Sequence, residues 1–140
     1  MSLRFLLDTN VLSEPTKKSP NRAVLARLKQ HENEVGTASV VWHEVWFGCR
    51  RLPKSRRRQE IEHYLTNVVQ VSIPLLAYDA DSAKWHALER ARLSTLGQPP
   101  PFVDGQIAAI AYVNDLILVT RNTEDFSNFS DLKLENWHDS

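Results

Sequence analysis

At 140 residues the chain has the length of one ordinary domain, long enough to bury a core. Apolar residues make up 42% and charged residues 24%, which excludes a disordered chain, and no apolar run nears the ~18 residues of a membrane span. The net charge is zero but uneven: residues 1–70 hold 12 Lys and Arg against 7 Asp and Glu, and residues 71–140 hold 5 against 10. That balance argues against a dedicated duplex binder, yet allows a local basic patch to face a local acidic site.

In chain order, residues 4–7 read as a short buried strand that stops at Asp8. The chain enters this strand at once, without the basic, apolar and small-residue succession of a secretory leader, so a cytoplasmic location is expected. Ser19-Pro20 is a helix start, with Ser as N-cap and Pro at the first helical position. That helix runs to about Gln30, with Val24, Leu25 and Leu28 on its apolar face. Residues 34–38 form a second strand. Ser39 caps a helix over about 40–51, with Val41, Val45 and Gly48 on one stripe and Pro53 as its stop. Within it, Cys49 is the single cysteine, so no internal disulfide forms, which suits a reducing compartment.

Ser55 opens another helix, where Ile61, Tyr64, Leu65 and Val68 keep spacings of three and four. Residues 69–73 read as a short strand. Asp79 or Asp81 caps a helix to about Leu96, with Gly97 just past its end. Gln98-Pro99-Pro100-Pro101 is a stiff connector. Residues 102–113 form an apolar helix, Asn114-Asp115 a turn, and 116–120 an aliphatic strand buried on both faces. Residues 132–134 form an edge strand. Strands that alternate with helices imply a three-layer αβα sandwich around a central, mainly parallel sheet, with residues 1–140 as a single domain. In such sheets functional groups collect outside the carboxyl ends of the strands.

That rule selects the acids. Asp8 follows the first strand directly, and Thr120, Asn122 and Asp125 follow the 116–120 strand in the same way. Glu44 lies among Val40, Val41, Trp42, Val45, Trp46 and Phe47, where a carboxylate is costly unless it reaches water or a cation. Asp104 begins the helix after the triple proline. Each acid has a plain structural alternative: a helix cap for Asp8, an ion pair with Arg50 or Arg51 for Glu44, a favourable helix N-terminus for Asp104, a turn cap for Asp125. Together they suggest one cluster. Carboxylates packed close repel and resist ionisation, and a divalent cation reverses that cost. Hard oxygen donors select Mg²⁺ or Mn²⁺ over Zn²⁺. Such a cation acidifies water for in-line attack on a phosphodiester, and a pair of ions ~3.5–4 Å apart steadies both attacking and leaving oxygens.

Competing motifs are absent. The chain has no phosphate-binding glycine loop, no dinucleotide fingerprint and no nucleophile elbow. His43-Glu44 opens like a zinc-protease helix, but Phe47 stands where the second histidine belongs.

The run from Phe5 to Leu12, with Leu7-Asp8-Thr9-Asn10 at its centre, resembles the first motif of PIN-domain ribonucleases. Ala38-Ser39-Val40-Val41-Trp42-His43-Glu44 is similar to their second motif and Val103-Asp104-Gly105-Gln106-Ile107-Ala108-Ala109 to their third. Leu118-Val119-Thr120-Arg121-Asn122-Thr123-Glu124-Asp125-Phe126 resembles the fourth. The four stand in order over essentially the whole chain, and with its length they point to the small VapC-type toxins of bacterial toxin–antitoxin pairs. The resemblance implies a PIN-like fold and an Mg²⁺- or Mn²⁺-dependent endoribonuclease. It implies a homodimer and a cognate antitoxin that blocks the site, with DNA met only through that antitoxin. It makes Asp8 and Asp104 central metal ligands, has Glu44 and Asp125 complete the cluster directly or through water, and has Thr120 and Asn122 orient the fourth motif or the water.

The run Arg50, Arg51, Lys54, Arg56, Arg57 and Arg58 follows the Glu44 helix. It suits RNA phosphates or an acidic antitoxin segment, and equally a solvated helix start. Trp42, Trp46 and Phe47 are candidates for a dimer surface as well as for the core. Two other functions fit the cluster: another Mg²⁺- or Mn²⁺-dependent nuclease or phosphohydrolase, and a non-catalytic interaction module.

Overall fold

The computed structural model describes residues 2–139. Three short strands carry the centre of the molecule: β1 (Phe5–Leu7), β2 (Val35–Ala38) and β4 (Ile117–Val119). Phe5, Leu6 and Leu7 are all buried, although successive side chains of a strand point to opposite faces, so both faces of the sheet are covered. Two shorter strands, β3 (Leu75–Leu76) and β5 (Leu134–Glu135), flank them. The order is β3-β2-β1-β4-β5 and every pairing is parallel. From β1 the chain steps outward through β2 to β3, then returns to the other side of β1 for β4 and β5. The direction of winding therefore reverses between β1 and β4, where a doubly wound sheet opens its crevice.

The helices are α1 (Thr9–Leu12), α2 (Arg22–Gln30), α3 (Ser39–Arg50), α4 (Arg56–Tyr64), α5 (Gln70–Ser72), α6 (Ala80–Thr95), α7 (Phe102–Val113) and α8 (Thr123–Phe126). Their ends follow local chemistry. The Ser55 hydroxyl accepts from the Arg58 N–H at 3.1 Å and the Asp79 carboxylate from the Ser82 N–H at 2.9 Å. Gly97 takes φ 73° just beyond α6, a conformation that glycine adopts without a Cβ penalty. No helix among the described residues is long and apolar enough to cross a membrane.

The fold corrects four expected boundaries. Residues 69–73 are not a strand: a π turn (Leu65–Val69) continues α4 into α5, and the Ile73 N–H donates to the Val69 carbonyl at 2.8 Å. Leu65 and Val69 are both buried one turn apart, so helical spacing wins over β-branched content there. The strand starts only after Pro74, which has no N–H to continue the helix. The second helix is capped by Asn21, which accepts from the Val24 N–H at 3.1 Å, not by Ser19. Ser39 is the first residue of α3 and makes no cap bond. The edge strand lies at Leu134–Glu135, where it pairs with Leu118 and Val119.

Candidate active site

Asp8 sits at the carboxyl end of β1 and at the N-cap of α1. One carboxylate oxygen accepts from the Thr9 N–H at 2.7 Å and the other from the Thr120 hydroxyl at 2.7 Å. Thr120 is fully buried and directly follows β4. Its hydroxyl accepts from the Asn122 N–H at 3.1 Å, so its one proton is directed to Asp8. The Asn10 side chain accepts from the Arg121 N–H at 3.0 Å. The loops after β1 and β4 are thus stapled together at the point where the sheet reverses. Thr120, expected to orient the fourth motif or the water, is bonded to Asp8. Asn122 reaches the site through its backbone, and its side chain is exposed.

Glu44 lies in the second turn of α3 and is half-buried. The ion pairs that would explain it away are made elsewhere: Arg50 meets Glu62, and Arg51 lies over the Phe47 ring 4.8 Å from its centroid. Asp104 is in the first turn of α7 and half-buried, and Asp125, in the first turn of α8, is exposed.

Electrostatics tie the four acids together. Burial pushes the Asp8 carboxyl above its ordinary range; the Thr120 and Thr9 hydrogen bonds oppose this, and the Asp125 and Glu44 charges add to it. Asp104 is pushed from 3.8 to about 6, first by burial and then by the charges of Asp8 and Asp125. Its place at the start of α7 acts the other way, but a helix dipole contributes only about 0.3–1 kcal/mol, less than one pKa unit. Among the described residues none of the four acids forms an ion pair with a cationic side chain. Buried carboxylates that repel one another and lack a cation are what a hard divalent ion relieves, so the donor set fits such a metal. Among the described residues no three His, Cys, Asp or Glu side chains already converge as a ligand set: the acids share one field without closing on a point.

Four comparisons bear on this arrangement. A profile of the PIN domain matches residues 5–132. The chain belongs to the PIN-domain family. A tRNA(fMet)-specific endonuclease VapC of Shigella flexneri is 31% identical over 136 residues, 96% of this chain and 98% of its own length. The toxin FitB of Neisseria gonorrhoeae is 31% identical over 141 residues, covering 96% of this chain and 99% of its own. The crystal structure of FitAcB from Neisseria gonorrhoeae superposes with a TM-score of 0.86 at 29% identity, over 95% of this chain and 97% of that one.

Within this PIN domain the sequence reading missed several supporting residues. Thr37 is fully buried and its hydroxyl donates to the Leu7 carbonyl at 2.8 Å, which fixes the end of β2 against β1. Gly105, next to Asp104, lies so close to the His86 imidazole that a Cβ there would overlap Nε2. His86 is buried and its Nδ1 is 2.8 Å from the Tyr78 hydroxyl. Asn10 and Gly105 stand inside the quoted motifs, but their roles depend on partners 111 and 19 residues away. Periodicity carries no such signal. The PIN domain places Trp42 against Trp46, edge to face with centroids 5.7 Å apart, both half-buried. Phe47 is 52% exposed.

Proposed function

We propose that this chain is a divalent-metal-dependent endoribonuclease that acts as the toxin of a toxin–antitoxin pair. The observation that carries the reading is Asp8 at the switch point of the sheet. It is held on both carboxylate oxygens, and its charge helps lift to about 6 the Asp104 carboxyl, which among the described residues has no cationic side chain paired with it. The names of the relatives, an endonuclease and a toxin, support ribonuclease and toxin roles.

Asp8 and Asp104 would hold the ion, with Glu44 and Asp125 completing the set directly or through water. Oxygen donors alone suit Mg²⁺ or Mn²⁺. The bound ion supplies charge neutralisation and a more acidic water for hydrolysis of the phosphodiester. The chain's own residues do the rest. Thr120 and the Thr9 N–H orient Asp8, so its outward lone pairs are set before any ligand arrives. The Asn122 N–H holds Thr120, and the Asn10–Arg121 bond keeps the loop that carries Asp125 in register. A cognate antitoxin that covers the site, a homodimer and a cytoplasmic location complete the proposal, with DNA met only through the antitoxin.

The test is cleavage of a panel of cellular RNAs, with DNA and a phosphomonoester as comparison substrates at equal Mn²⁺. RNA alone should be cut. Asp8→Asn should lose at least ~100-fold in rate, the range for removing one electrostatic group from such a site, while its far-UV spectrum is unchanged. Full activity in that variant would sink the metal-cluster reading. Equal cutting of DNA would widen the enzyme to a general nuclease.

A further inference from the structure

The cleft that leaves the acid cluster along α4 carries charge that the site itself does not use. Thr9, next to Asp8, and Glu44 are among the residues that line a cleft of ≈ 200 Å³ between α1, α3 and α4. Thr16, Ile61 and Tyr64 line this cleft and also the next, of ≈ 660 Å³, so the two adjoin and together mark a path along α4. Lys17, Lys18 and Arg57 border the far part, with Glu60 also on its wall. The segments that build this face, residues 14–18 and 50–62, hold eight Lys and Arg against Glu14, Glu60 and Glu62. The positive excess of the N-terminal half is concentrated here.

Arg51 lies over the Phe47 ring, and the fold sorts the other seven into neutralised and free. Arg50 and Arg58 both meet Glu62. Lys17 meets Glu14 at 3.1 Å, although its side chain stays 47% exposed. Arg57 donates to the Thr16 carbonyl, a neutral partner, which leaves its charge uncompensated and several N–H groups available. Lys18, Lys54 and Arg56 make no side-chain hydrogen bond or ion pair among the described residues. The sequence left open whether the basic run serves RNA, a protein partner or water. The geometry divides the run: Arg50 and Arg58 serve the fold, and Arg57 joins Lys17 and Lys18, from a different segment, on the wall of the path.

We propose that this path binds the phosphates of the RNA strand on one side of the cut, with Lys18 and Arg57 as its principal contacts. The inference rests on the endoribonuclease reading above. A strand whose scissile phosphate stands at the acid cluster presents a further phosphate at every nucleotide, and the path leads those phosphates from Glu44 to the cations. An acidic peptide laid along the same path would meet the uncompensated carboxylates at its inner end and be repelled. The half-buried Ile61 and Tyr64 on the wall offer surface for bases, as suits a single strand read mainly through its backbone.

The experiment is fluorescence anisotropy with a labelled single-stranded oligoribonucleotide, with chelator present to prevent cleavage, across a salt series. Each lost phosphate contact on a single strand lowers the slope of log Kd against log salt by about 0.7. Lys18→Gln should lower it by that amount and Lys18→Gln with Arg57→Gln by about 1.4. At low salt Kd should rise about fivefold per contact, as for one exposed charge pair. Lys18 has no hydrogen-bond or ion-pair partner to lose among the described residues, so its single variant separates binding from folding. Lys84→Gln on α6, the same change of charge on another face, should leave slope and affinity as in the parent. A parent-like slope and Kd in Lys18→Gln overturn the assignment, as does an equal effect from Lys84→Gln. Parent-like RNA binding in Lys18→Gln with weakened binding of a short oligoglutamate also overturns it and assigns the path to an acidic protein partner. A parent protein that cuts RNA while Lys18→Gln binds like it defeats the path alone; a parent that cuts no RNA with Mn²⁺ defeats the nuclease reading beneath it.

Discussion

Asp8 uses one carboxylate oxygen to cap α1 and the other to accept from Thr120, so serving as the cap leaves it joined to the loop after β4 as well. The sequence posed the cap as an alternative to a place in the cluster, because a cap is local, whereas the Thr120 bond spans 112 residues. At this scale the acids also predict a pH dependence. Asp104 has its pKa raised from 3.8 to about 6, so the metal-free native state keeps a proton that the unfolded chain releases. Stability then falls as pH rises through that window. Glu14 is the opposite case. Burial pushes it up, but hydrogen bonds from the Asn21 N–H, His138 and Lys17 and the Lys17 charge bring it from 4.5 down to about 2. Its stabilisation is present above 4.5 and lost as pH falls toward 2. With chelator, Tm should therefore peak near about pH 4 and decline toward pH 7. Asp104→Asn should flatten the decline, and saturating Mg²⁺ should remove it; a chelated protein more stable at pH 7 than at pH 5 contradicts the raised Asp104 carboxyl.

Most element types follow from local pattern. Ser55 and Asp79 cap the helices that the sequence assigns to them, and Gly97 ends α6 with a positive φ. Residues 69–73 defeat the local reading because valines and isoleucine suit a strand, and only the contacts of Leu65 and Val69 with the core keep the helix going to Pro74. The packing of α6 on α7 was equally illegible: Trp85 stacks on Tyr112, His86 meets Phe102, and Gly105 approaches His86 closely, all across the two helices. An added Cβ at Gly105 would overlap the buried His86 ring, which the Tyr78 hydroxyl holds in place. Gly105→Ala should cost about 1–3 kcal/mol as overpacking, read by urea unfolding. Adding His86→Ala should recover part of that loss by opening the space, a coupling between neighbours. Strict additivity of the two would show that the α6–α7 contact is not the constraint.

The whole molecule closes through its far end. Trp137 is fully buried, edge-on to Phe5 at 5.1 Å and stacked on His31 at 5.7 Å. The last turn of the chain thus packs under the first strand, on the same strand that delivers Asp8. Trp137→Ala should cost about 3–5 kcal/mol, a large share of the 5–15 kcal/mol typical of a domain, and lower Tm by roughly 10 °C or more. A loss under about 1 kcal/mol would show that this turn is not part of the cooperative core.

By itself the sequence determined the α/β class and the identity of most elements, and singled out four candidate acids. Those depend on spacing of two, three or four residues and on motifs a few residues long, where the interacting groups are near neighbours in the chain. Only the tertiary structure decided the order β3-β2-β1-β4-β5 and the meeting of Asp8 with Thr120. It alone showed that Arg57 shares a wall with Lys17 and Lys18 while Arg50 and Arg58 are taken by Glu62. These are contacts between distant segments, fixed by which strand lies beside which and by the area each buries, and no local pattern encodes them.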